Sequence, residues 1–154
     1  MWERLRRFKA LERPAQSLFL RALLLLPLVS LSLRWRGFRG TRKMLERFVS
    51  NGRPSQDSAK AQGRAAMTAH MVSVADRSSL IHPSCLAKSL TLWWLLVRQG
   101  IAADLRIGIR KENEKMMAHA WVERNGIALN EPEEYHRHYA AFDAEFSSLP
   151  SDMK

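Results

Sequence analysis

The apolar positions of this chain change period partway along. Leu86, Leu90, Trp93 and Val97 recur at helical spacing, widened by Ser89 and Leu96, while Lys88, Thr91 and Arg98 take another face. Pro83 and Ser84 signal a helix start just before that run, and Gly100 signals its stop. Over residues 101–110 the period falls to two. Leu105, Ile107 and Ile109 line one face of a strand, and Arg106, Gly108 and Arg110 the other. Residues 111–115 form a polar hairpin loop, and residues 116–123 and 127–130 read as two further strands. Asn125-Gly126 between them favours a type I′ turn. The pattern predicts a helix packed on a small antiparallel sheet.

Upstream the chain reads as helical. Residues 1–13 carry Leu5, Phe8 and Leu11 on one side, and Pro14 interrupts them. Residues 15–34 are the most apolar stretch, but its longest charge-free piece, residues 22–33, has twelve residues. That is too short to cross a hydrocarbon core of about 30 Å. Basic residues precede it, as in a signal peptide, yet Arg21 and Pro27 interrupt it and no small-x-small cleavage site follows. A core or docking helix bent at Pro27 is expected instead. Gly37 and Gly40 mark a turn before a short helix over residues 41–49, with Met44, Leu45 and Phe48 on one side. Residues 50–55 have linker composition. Residues 57–74 form an alanine-rich helix whose inward set is Ala61, Ala65, Thr68, Met71 and Val72. Tyr135, Tyr139 and Phe142 suggest a short helix over residues 133–142. Three regions follow: a basic, apolar helical N-terminal subdomain over 1–50, a core over 55–143 and a flexible tail over 144–154.

Charge sharpens this division. The 154 residues carry a formal +10, and residues 1–47 hold twelve Lys/Arg against Glu3, Glu12 and Glu46. A basic surface points to nucleic acid, anionic lipid or an acidic polypeptide. No zinc pattern, RNP-like motif or helix-turn-helix accompanies it, so an acidic peptide or a protein partner is at least as plausible as nucleic acid. One cysteine makes no internal disulfide, which fits a reducing cytoplasm.

That cysteine carries the candidate chemistry. Cys85 falls in the first turn of the predicted helix, where backbone N–H groups lack partners and the helix dipole is positive. Both favour negative charge, and a thiolate is the nucleophilic form of cysteine. The same N–H groups suit the oxyanion of acyl transfer. A buried structural cysteine is the plain alternative. A histidine, His119, follows on a strand, and polar residues follow on its partner, which is the chain order of a papain-like Cys-His system. Counting back from the turn pairs Trp121 with Asn130 and Ala120 with Glu131. Cross-strand pairs share a face, so strict register puts Asn130 on the histidine's side. A bulge beside Pro132 would bring Glu131 round instead. His82 is a secondary candidate for substrate contact, and His70 reads as structural.

The residues Cys85-Leu86-x-Lys88-Ser89-Leu90, Gly100-Ile101, Leu105-x-Ile107-Gly108-Ile109-Arg110, Ala118-His119-Ala120-Trp121-Val122-Glu123 and Asn130-Glu131-Pro132 resemble the lasso-peptide leader peptidases. These are transglutaminase-like cysteine proteases that remove the leader from a lasso-peptide precursor. The resemblance implies an α+β fold with a papain/transglutaminase-like core and a helical N-terminal subdomain. It implies Cys85 as nucleophile, His119 as general base and acid, and Glu131 as the orienting carboxylate. The family more often has Asp at the position of Glu131 and Arg at that of Lys88. No metal or organic cofactor is expected. The implied partners are the precursor, a separate small leader-recognition protein and, as a further candidate, the lasso cyclase. The basic N-terminal segment and an exposed sheet edge are the candidate docking surfaces, while neither nucleic acid nor membrane contact is expected. An acyl transferase using the same Cys-His pair, and a non-enzymatic membrane-associated adaptor, are the competing readings.

Overall fold

The structure, a computed structural model, describes residues 12–49, 58–79, 82–112, 115–130 and 140–141. Among the described residues three helices come first: α1 (Arg13–Arg47), α2 (Ser58–Ser78) and α3 (Cys85–Arg98). Four strands follow: β1 (Asp104–Glu112), β2 (Lys115–Arg124), β3 (Ile127–Ala128) and β4 (Ala140–Ala141). They form one antiparallel sheet in the order β3-β2-β1-β4. The observed class is α+β.

The N-terminal region departs from the expected pieces. Pro14 lies at the start of α1, where a missing N–H has no cost, and the helix expected over residues 1–13 falls almost wholly outside the described residues. Pro27 sits inside α1, and the non-helical dihedral angles fall at Gly37 (φ 66°). A proline removes one helical hydrogen bond. Leu26 and Val29 on either side of it are buried, and that packing keeps the helix running. Gly37 instead takes a left-handed conformation open to glycine, and the chain turns a corner there. Across it the hydroxyls of Ser32 and Thr41 come within 2.9 Å, which nine residues of straight helix would forbid.

α2 buries Ala61, Ala65, Thr68, Met71 and Val72, the set its spacing predicts, and adds Ala69 and Ala75. The helix runs one turn past the predicted end because Ala75 still faces the core. Ala22 and Leu26 of α1, Ala65 and Val72 of α2, and Leu92, Leu95 and Leu96 of α3 share one buried cluster with Val122 of β2. A second cluster joins Val29 and Leu45 of α1 to Ala87 and Leu90 of α3. The N-terminal helix thus shares its core with the rest of the chain.

The hairpin turn is as its sequence predicts: Asn125 and Gly126 have φ of 51° and 76°, and Arg124 pairs with Ile127. At the other edge, Ala140 and Ala141 pair with Ile109 and Gly108 as β4. The helix expected over residues 133–142 therefore does not extend through these two. The backbone groups of β1 need partners on that side, and the ladder satisfies them. Glu131 and the remainder of residues 131–139, together with the tail over 144–154, lie outside the described residues.

Candidate active site

Cys85 is the first residue of α3, and it is half-buried. Ser84 has extended backbone angles, and its side chain accepts from the N–H of Ala87 at 3.2 Å. This is an ordinary N-cap bond. The N–H groups of Cys85 and Leu86 have no acceptor within the helix and stand at its mouth beside the thiol. The far end closes as cleanly. Gly100 has φ 70°, its N–H donates to the Val97 carbonyl, and that of Ile101 donates to Leu96.

Between these ends the helix is buried on more sides than its stripe predicts. Ala87, Ser89, Thr91, Leu92 and Leu95 are all buried alongside Leu90 and Leu96. Thr91, expected on the polar face, satisfies its hydroxyl by donating to the Ala87 carbonyl 2.8 Å away. Lys88 reaches Asp76 near the end of α2 at 3.1 Å. Trp94 Nε1 donates to the Leu45 carbonyl at 3.0 Å, fixing the arm of α1 beyond the corner.

Strand β2 carries His119, with Gly108 as its cross-strand partner. Alternation puts Ala120 and Val122 on the face that packs on the helices, and His119, Trp121 and Glu123 on the other. The imidazole and the Trp121 indole stack at 6.3 Å with their planes 17° apart. Trp121 is fully buried, and its Nε1 donates to Glu123 Oε1 at 2.8 Å. Arg106 Nε donates to the other oxygen of that carboxylate at 3.1 Å. The row Arg106, Glu123, Trp121 therefore holds the surface against which the histidine rests. Gly108 opposite adds no side chain and is itself buried.

The link between helix and strand lies at the β2 edge. Leu129 N–H donates to the Val122 carbonyl, but the N–H of Val122 donates to Asn130 Oδ1 at 2.8 Å. A side chain has replaced the next main-chain bond of the ladder, and β3 ends there. Beyond it, the Ser89 hydroxyl donates to the Ala120 carbonyl at 2.8 Å and accepts from Asn130 Nδ2 at 3.1 Å. Ser89 lies one turn after Cys85 on the same helix side. Ala120 is the neighbour of His119. Further along, Leu92, Leu95 and Leu96 cluster with Val122, so helix and strand advance in the same sense. The turn bearing Cys85 stands at the His119 end of that contact.

The candidate residues thus fall into groups. Cys85 and His119 lie on the two elements that Ser89 joins. Asn130 is in the same knot, with its amide bonded to Val122 and Ser89. Glu131 lies outside the described residues. His82 is exposed in the three residues leading into α3. His70 is exposed on α2, beside a cleft of about 470 Å³ whose other wall is Ile127, Leu129 and Asn130. Sequence reasoning missed the roles of Ser89, Trp121, Glu123 and Arg106. Their signal was available in part, because period two puts residues 119, 121 and 123 on one face.

The chain matches no curated protein and no solved structure. A family model for the transglutaminase-like superfamily matches residues 23–142, a span holding most of α1, both later helices and the whole sheet. Cys85, His119, Asn130 and Glu131 all fall inside it. Covering well over half its length, that match makes the chain a member of the transglutaminase-like superfamily, whose enzymes are generally cysteine peptidases or acyltransferases.

Proposed function

We propose that this protein is a cysteine peptidase that removes the leader from a ribosomally made lasso-peptide precursor. The observation that carries the catalytic part is the Ser89 bridge, which joins the helix that begins at Cys85 to the strand of His119. Superfamily membership supports the chemistry, and the motif around Cys85, His119 and Glu131 supports the substrate class.

In this reading the thiol and the imidazole meet round the β2 edge, where β3 has ended. His119 takes the proton from Cys85, and the sulfur attacks the scissile carbonyl carbon. The Cys85 N–H at the helix mouth stabilises the resulting oxyanion. As the intermediate collapses, the C–N bond breaks and His119 gives its proton to the leaving amine. Water, losing a proton to His119, then attacks the thioester, and the thiol and the new carboxylate separate. Glu131 orients the imidazole. Asn130 is the alternative, but its amide oxygen and nitrogen already hold Val122 and Ser89, which favours Glu131. The leader arrives on a separate recognition protein in the cytoplasm, with the cyclase acting afterwards.

The superfamily includes acyltransferases, and the same thioester could pass to an amine. One experiment separates the two. The protein is mixed with precursor and its leader-binding partner, and products are weighed by mass spectrometry. A free leader carboxylate supports the peptidase, an amide supports transfer, and cleavage that persists in Cys85→Ala or His119→Ala removes both.

A further inference from the structure

Helix α1 has two sides with opposite surroundings. Ala22, Leu26 and Val29 are buried in the shared core. Leu20, Leu24, Leu28, Leu31 and Trp35 recur at intervals of four, four, three and four along the other side, and are between 47% and 79% exposed. That spacing keeps them in one row for about 22 Å. Arg13, Arg21, Arg34 and Arg36 are exposed around the row. No Asp or Glu occurs between Arg13 and Leu45.

We infer that α1 lies in the plane of an anionic lipid surface, with this row immersed among the acyl chains and the arginines on the headgroup phosphates. A helix with one apolar side and a cationic margin binds in that way. Long arginine side chains extend from an immersed helix to the phosphate level, and a tryptophan at the end of the row suits the interfacial zone. Charge selects among the possible occupants. A second copy would bring another net +10 and the same arginines to the seam. A lipid surface supplies phosphates along the whole row. The charge-free piece of α1 is too short to cross a bilayer, yet with Arg21 included the helix is long and apolar enough by length and composition. Its inner side argues against crossing: Ala22 and Leu26 share a buried cluster with Leu92, Leu96 and Val122, and insertion would pull that core apart. Lying flat leaves it intact. The basic charge of this region admits anionic lipid as a partner, but the apolar run alone does not reveal which leucines face out. The inference does not depend on the chemistry of Cys85.

Flotation of the full chain with vesicles tests it, using phosphatidylcholine mixed with anionic phosphatidylglycerol against phosphatidylcholine alone. The expected result is recovery with anionic vesicles, at least tenfold weaker on neutral ones and weakened by salt. Leu24→Asp/Leu28→Asp should reduce binding at least tenfold with an unchanged melting curve, and Arg34→Gln/Arg36→Gln should reduce it severalfold. Cys85→Ala should bind as the parent does. Equal recovery on both vesicle types, undiminished binding by the folded leucine variant, or no binding overturns the inference. So does a sedimentation dimer that the leucine variant dissolves, since the row would then belong to a second copy.

Discussion

The hydroxyl of Ser89 donates to the carbonyl of Ala120, 2.8 Å away, in a fully buried position between the cysteine helix and the histidine strand. The same oxygen accepts from Asn130, so one atom ties helix, strand and the chain leaving the hairpin. Ser89→Ala would leave the Ala120 carbonyl and the Asn130 amide without this partner. A buried polar group stranded in this way costs about 1–3 kcal/mol. Urea denaturation should show a lower midpoint at constant slope. A change below about 0.5 kcal/mol, the range of an ordinary surface substitution, would mean that the bridge does not hold these elements together.

Cys85 is half-buried at the helix start, and truncating it removes little packing. Cys85→Ala and His119→Ala should each lower precursor cleavage by about a thousandfold or more. For Cys85→Ala, stability should remain within about 1 kcal/mol of the parent. Single-turnover rates by mass spectrometry, beside thermal melts, check both statements. A variant that cleaves normally assigns its residue a structural part.

Ser84 should contribute through its cap. Ser84→Ala removes the bond to Ala87 N–H and is expected to cost about 1 kcal/mol. Ser84→Asp restores an acceptor at the helix start and should recover most of that loss in the same melt.

Two glycines should respond with opposite signs. Gly100 has φ 70° at the end of α3, and an alanine there is expected to cost about 1–2 kcal/mol. Gly63 lies within α2, and nothing approaches within 4 Å of where a Cβ would stand. Gly63→Ala should therefore stabilise by about 0.5–1 kcal/mol. Paired denaturation curves read both, and matching signs would contradict this account.

Much of the architecture was legible because it rests on local rules. The inward set of α2 follows from small residues at helical spacing, and the Asn125-Gly126 hairpin from the turn chemistry of that pair. The limits of α3 follow from Ser84 and Gly100. What stayed hidden depends on the tertiary surroundings. Residues 15–34 are apolar on all sides, so periodicity could not separate buried Leu26 from exposed Leu24. Pro27 stays inside the helical run on the packing of Leu26 and Val29, while the corner falls at Gly37, where the sequence itself marks a turn. Thr91 is buried because its hydroxyl bonds to its own helix, an option composition does not reveal. For the candidate site, Cys85 and His119 could be singled out by type and order. Ser89 could not, since its part depends on a carbonyl 31 residues away.

The corner at Gly37 has a consequence for how the molecule can be divided. Its two arms clasp the nucleophile helix like a bracket: Ala22 and Leu26 grip it near Leu92 and Leu96, and Leu45 from beyond the bend grips it near Ala87 and Leu90. A fragment starting at residue 55 would keep the cysteine, the histidine and the sheet, yet strip the helix of its cover along most of its length. Such a fragment should collapse or aggregate in place of folding, because the clasp is part of what keeps the reactive end in position.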